Sequence, residues 1–122
     1  MNQLMKIYNQ FDLVIVPFPF TDSNSTKRRP ALIISEPTNF NTLMGKSVLA
    51  MITTATHQPW ALDVTITDLP AAGLKTASIV RMKLFTLDHY LIVRDIGHLS
   101  AVDTDAVMKS IGKLVGFTPP LL

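Results

Sequence analysis

The sequence predicts a mainly β fold, a small and strongly bent barrel or sheet with short helices, and three observations carry that expectation. Short runs rich in valine, isoleucine and phenylalanine recur along the first hundred residues, each bounded by proline, glycine or polar clusters. Two later runs alternate apolar and polar residues with period two, as a half-buried strand does. A helical spacing of apolar residues emerges only after residue 100. The length of 122 residues suits one domain. Its expected extent is residues 1–117, followed by a tail at 118–122 whose two prolines predict fraying.

The elements follow in order. Residues 1–8 have mixed periodicity and fit either a short helical turn or a flexible arm. LVIVPFPF, at 13–20, is a strand by composition, but Pro17 and Pro19 cannot donate to a ladder, so it must end, bulge or run along an edge near Pro17. Residues 21–27 contain no large apolar side chain and predict an exposed hairpin loop. ALIISE, at 31–36, and SVLAMIT, at 47–53, each fit a central strand with partners on both sides. LDVTITD, at 62–68, should turn Val64 and Ile66 inward and Asp63, Thr65 and Thr67 outward.

SIVRMKLFTL puts Ile79, Arg81, Lys83 and Phe85 on one side and Val80, Met82 and Leu84 on the other. HYLIVRDIGHL alternates again, with Gly97 marking a turn or bulge. The C-terminal helix has Ser100 or Asp103 as cap, Asp103 and Asp105 early, and Lys109 and Lys113 late, complementing the dipole. Val102, Ala106, Ile111, Leu114 and Val115 supply its expected apolar stripe.

Composition excludes several chemistries. Without cysteine there is no disulfide framework, thiolate nucleophile or common structural zinc pattern. His57, His89 and His98 have no short metal-ligand spacing, and no carboxylate pair supplies a facial triad, so no metal or cofactor is expected. The N-terminus lacks a secretory apolar core and no segment reaches membrane-spanning length, which makes a soluble cytoplasmic protein the default expectation. The net charge of +2 is uninformative by itself, but Lys27, Arg28 and Arg29 are adjacent and Arg81 and Lys83 alternate. A local basic patch on a nearly neutral chain suits modest, salt-sensitive phosphate binding.

Chemistry without a metal or thiol rests on cations and hydroxyls. RNA carries its own nucleophile, the 2'-hydroxyl, so a protein cleaving it need only align that oxygen, neutralise charge at phosphorus and manage two protons. An arginine fork suits the charge-stabilising role, and a threonine hydroxyl can orient a phosphate oxygen. Pro30 restricts the backbone of Arg29 to extended conformations and so aims its side chain. Read without further context, Arg29 is a loop cation pairing with Asp22 or Asp12, and Thr53 a strand-end hydroxyl bonding backbone. Trp60 and Phe20 could stack on unpaired bases, but the barrel core is the expected place for both.

From FDLVIVPFPFTD through KRRPALIIS, VLAMITTA, GLKTASIVRMKLFTLD and IGHLSAVD, the order and spacing of motifs resemble the MazF/PemK family of type II toxins, closest to its PemK-like branch. The resemblance implies an SH3-like barrel of the MazF/PemK/CcdB toxin fold, forming a homodimer. It also implies metal-independent, sequence-specific endoribonuclease activity on single-stranded RNA, opposed by a cognate antitoxin. By that resemblance Arg29 is the catalytic arginine before proline and Thr53 the catalytic hydroxyl closing the Ile-Thr strand. Lys27, Arg28, Thr54, His57, Arg81 and Lys83 are then expected to contact RNA. The chain departs from the family where an acidic residue is replaced by Lys83 and an arginine by Phe85. Those departures motivate an alternative, a non-catalytic binding module or a protein-targeting toxin of the gyrase-poison type on the same fold.

Overall fold

The computed structural model describes residues 6–18, 27–56 and 58–117. Along the chain come β1 (Asp12–Phe18), β2 (Lys27–Ile33), a π-helical turn (Pro37–Asn41), α1 (Thr42–Met44), β3 (Lys46–Thr54), β4 (Val64–Thr65) and α2 (Leu69–Ala72). After them stand β5 (Ser78–Asp88), a 3-10 turn (His89–Leu91), β6 (Arg94–His98) and α3 (Ala101–Val115). The strands form one curled antiparallel sheet in the order β4-β5-β3-β2-β1-β6, a half-barrel with a C-terminal helix. The mainly β expectation holds, and β2 and β3 do have partners on both sides.

Both faces of this sheet carry core, which is why its strands read as nearly continuous apolar runs. Leu13, Leu32, Ala50, Ile52 and Val80 pack with Ile66, Leu99 and Val107 of α3 on one face. Val14, Val16, Ala31, Ile33, Leu49 and Leu87 cluster on the other, with Tyr8, Phe85 and Leu91 against them. Residues adjacent in β1 serve opposite cores, a direct result of strand alternation.

Two irregularities bend the sheet. Leu13 pairs with Gly97 but Val14 with Asp95, so Ile96 is an extra residue on β6, the bulge expected beside Gly97. Ala50 pairs with Leu84 but Met51 with Arg81, leaving Met82 and Lys83 unpaired in β5. Pro17 is tolerated as the sequence requires: β6 pairs only with Asp12 to Ile15, so β1 is an edge beyond that point.

Helix α2 lies against β6 at backbone distance. A Cβ on Gly97 would sit 2.4 Å from the Ala72 carbonyl carbon, and one on Gly73, whose φ is +75°, would meet the Ile96 oxygen at 1.9 Å. Gly97→Ala is therefore expected to push α2 off the sheet and cost about 2 kcal/mol, read as a lower denaturant midpoint.

The C-terminal helix corrects one expectation. Ser100 does cap it, accepting from the Asp103 N–H at 3.2 Å, and Gly116 ends it in the left-handed region. However, Val102, Leu114 and Val115 of the expected stripe are exposed, while Asp103, Val107 and Ser110 are buried. Polar hooks set its rotation. The Asp103 carboxylate accepts from the Thr67 N–H, the Thr67 hydroxyl at 2.7 Å and the Asp68 N–H at 3.0 Å, and the Ser110 hydroxyl donates to the Leu62 carbonyl at 2.6 Å.

Candidate functional site

The three cations of the KRR run open β2 rather than closing a loop. Strand alternation therefore splits them: Lys27 and Arg29 share a face with Ala31 and Ile33, and Arg28 points to the opposite face. This corrects the picture of one gathered cluster. All three are exposed. The Arg29 guanidinium lies 5.5 Å from the Phe18 ring on β1, a diagonal cross-strand contact that steadies it. Among the described residues no carboxylate pairs with it. Asp12 instead bonds His98 at 2.8 Å, and Asp22 lies outside the described residues.

The ladder between β2 and β3 runs from Ile33 opposite Leu49 to Ala31 opposite Met51 and stops there. Pro30, which has no N–H to offer, is the next residue. Carried two residues further, the same register sets Arg29 opposite Thr53. By that continuation, rather than by a hydrogen-bonded pair, the two residues fall on one rung and one face just past the end of the ladder. Val16 on β1 pairs with Arg29, and Ile79 on β5 pairs with Thr53, so one row of side chains crosses four strands with the cation and hydroxyl at its centre. Thr53 is half-buried. Thr54, expected to contact RNA, alternates to the other face and its hydroxyl bonds that of Thr56 at 3.1 Å.

Arg81 shares the face of Thr53, one rung along, but is not an open phosphate clamp. Its side chain is 10% exposed, its Nε donates to Asp63 Oδ1 at 3.1 Å, and its terminal nitrogen donates to Asp63 Oδ2 at 2.9 Å and the Gln58 carbonyl at 2.8 Å. The hydrogen bonds from Arg81 hold the Asp63 carboxyl below its usual range despite burial, and Asp63 in turn raises the pKa of Arg81. The guanidinium also lies 5.0 Å from the Trp60 ring. Asp63 was expected outward in solvent; the pairing draws it under Arg81, because β4 begins one residue later and its register continues to that position. The charge on Asp63 next to Trp60 was visible in the sequence, but nothing local linked it to Arg81.

Lys83 lies in the two-residue bulge and is exposed, while Phe85 packs on the second core cluster. His57 and Phe20, two further candidates for RNA contact, lie outside the described residues, as do residues 21–26 of the expected loop and the tail at 118–122. Ser47 and His89 form a hydrogen bond of 2.8 Å, but Ser47 is fully buried, so the pair offers no reagent to a substrate. Burial pushes the His89 pKa down and keeps the ring neutral. No described helix is long and apolar enough to cross a membrane.

Comparison with known proteins places this geometry. Residues 9–115 match the family described as PemK-like, MazF-like toxin of type II toxin-antitoxin system. No curated protein matches the chain by sequence. Among solved structures, an endoribonuclease from a mycobacterial species, in complex with its cognate antitoxin, superposes with a TM-score of 0.72 at 14% identity, covering 95% of this chain and all of that one. The Mycobacterium tuberculosis toxin MazF-mt6 gives 0.69 at 24% identity over 88% of this chain and 99% of that one. The MazE–MazF structure from Deinococcus radiodurans gives 0.69 at 21% identity over 93% and 100%. At these identities the structural likeness establishes the fold.

Proposed function

Because the chain belongs to the PemK-like, MazF-like toxins of type II toxin-antitoxin systems, we propose that it is a metal-independent endoribonuclease cutting single-stranded RNA. The observation that supports this reading is the end of the β2–β3 ladder at Ala31 and Met51, beyond which the continued register puts Arg29 and Thr53 on one rung. An exposed cation on a strand and a half-buried hydroxyl on its neighbour suit this chemistry, because the RNA supplies its own nucleophile. The RNA 2'-oxygen attacks phosphorus, an O2'–P bond forms, and the P–O5' bond breaks. Charge gathers on the non-bridging oxygens, where the Arg29 fork donates two hydrogen bonds and the Thr53 hydroxyl a third. The products are a 2',3'-cyclic phosphate and a 5'-hydroxyl. One proton leaves the 2'-oxygen and one reaches the 5'-oxygen, so the step balances.

Residues 1–117 act in this reading as a single domain, in the cytoplasm, as a homodimer held in check by a cognate antitoxin. Exposed apolar side chains on α3 and beyond it, Val102, Met108, Val115 and Phe117, offer surface for such pairing. Lys27 lies one alternation outward from Arg29 on the same face and suits an adjacent phosphate. Arg28, on the other face, suits at most a more distant one.

The test is incubation with a long, mostly unstructured RNA in EDTA, mapping the ends, with Arg29→Ala purified in parallel. Discrete cuts with cyclic phosphate ends, absent with the variant, support the reading. A folded protein that leaves varied RNAs whole points to the alternative, a binding module or protein-targeting toxin. The observation favouring that second reading is the engagement of Arg81 by Asp63, which ties up a candidate proton donor on the neighbouring rung.

A further inference from the structure

Trp60 stands out among the exposed apolar residues because its surroundings are rigid. It is the only tryptophan of the chain and is 46% exposed. The Arg81 guanidinium lies 5.0 Å from its ring centre, and that guanidinium is fixed by Asp63 and the Gln58 carbonyl. The same Asp63 carboxylate accepts from the Trp60 backbone N–H at 2.8 Å, and the Asp63 N–H donates to the Trp60 carbonyl at 3.3 Å. One ion pair thus secures both the indole's neighbour and the backbone that carries the indole. An aromatic held this way gives up little conformational freedom when a second flat group stacks on it.

Its position selects the occupant. Asp63 and Arg81 continue the rung that contains Met51 and Ala31, next to the row of Thr53 and Arg29 on the same face. A strand laid across the sheet from β2 over β3 and β5 reaches this rung, and the exposed cations Lys27 and Arg29 on the same face favour a polyanion as its occupant.

We infer that Trp60 is a stacking platform for an unpaired nucleobase of the RNA, on the face that carries Arg29 and Thr53, and that the Arg81–Asp63 pair is its positioning support. The inference rests on the endoribonuclease reading above and adds a binding subsite to it. Stacking of this kind accepts every base, since each presents a π face. Trp60 therefore contributes affinity and the position of the strand more than the choice of sequence.

The uniqueness of Trp60 makes the test direct. A pool of single-stranded 2'-O-methyl RNA, which lacks the attacking hydroxyl, is titrated into intact protein while indole emission and the anisotropy of an RNA label are followed together. Quenching that saturates along the anisotropy curve, and is absent with the same RNA annealed to its complement, is the expected result. Trp60→Ala is expected to weaken RNA binding about tenfold, with Trp60→Phe recovering most of the loss. Anisotropy that reports binding while indole emission stays unchanged, with Trp60→Ala binding like the parent, overturns the platform and assigns the exposed indole to a protein contact; cleavage in the EDTA assay then still upholds the endoribonuclease. Absence of both cleavage and RNA binding removes that reading, and the platform falls with it. If Trp60→Ala fails to fold, the quenching of the parent protein decides alone.

Discussion

Arg29→Ala is expected to slow RNA cleavage by about two to three orders of magnitude while leaving the fold intact. The fold should persist because Arg29 is exposed and bonds no carboxylate among the described residues; its loss removes one contact with Phe18. The rate should fall because the guanidinium meets charge that exists mainly in the transition state, where a preorganised donor counts most. Arg29→Lys should recover only part of the activity, since an ammonium supplies the charge without the two-pronged geometry. Arg28→Ala is the internal control: the same charge is removed one residue away, on the other face, and the rate constant should change little. Equal losses at Arg28 and Arg29 would replace directed catalysis with a general basic patch. Cleavage rates under single-turnover conditions, with circular dichroism of each variant, separate these outcomes.

Asp103→Ala is expected to cost about 3 kcal/mol of stability, lowering the melting temperature by roughly 10 °C. The carboxylate is 1% exposed and is the shared acceptor for the Thr67 N–H and hydroxyl and the Asp68 N–H. Removing it strands those donors in the interior and releases the start of α3 from the segment after β4. The pH dependence has a definite sign. Burial alone raises the Asp103 pKa, but the hydrogen bonds from Thr67 and Asp68 outweigh it and the net shift is downward. The stabilisation is thus fully present above the ordinary aspartate range, near pH 4, and disappears as pH falls through the depressed folded value. Denaturant melts of parent and Asp103→Asn should accordingly lie far apart at neutral pH and converge in strong acid. A constant gap across that range would mean the side chain acts by packing alone.

How far the sequence could be read divides along physical lines. The strands of the central sheet were legible because both faces are buried and their apolar runs are short and bounded, and the bulge beside Gly97 announced itself through glycine. The family motifs pointed to Arg29 and Thr53, which lie two residues beyond the last paired rung of β2 and β3. The rotation of α3 was not legible, since it is fixed by the Asp103 and Ser110 bonds to distant backbone, and a count of apolar residues ignores such bonds. Nor was the partner of Arg81. Asp63 is 18 residues away in sequence, and only the pairing of β4 with β5 joins them. Reading KRRP as the end of a loop also hid the split of its cations, because alternation applies only once the strand has begun.

That split has a consequence for insertions and deletions. Length changes in residues 19–26 alter the connection between β1 and β2 without touching the parity of β2, so Arg29 keeps facing the opening. Loss of a single residue between Arg29 and Ala31 is different: with Ala31 held against Met51, every position before it would exchange faces. A chain of almost unchanged composition and charge would then present Arg28 in place of Arg29 on that face. Spacing from the anchored rung, rather than the number of basic residues, is the quantity this strand must preserve.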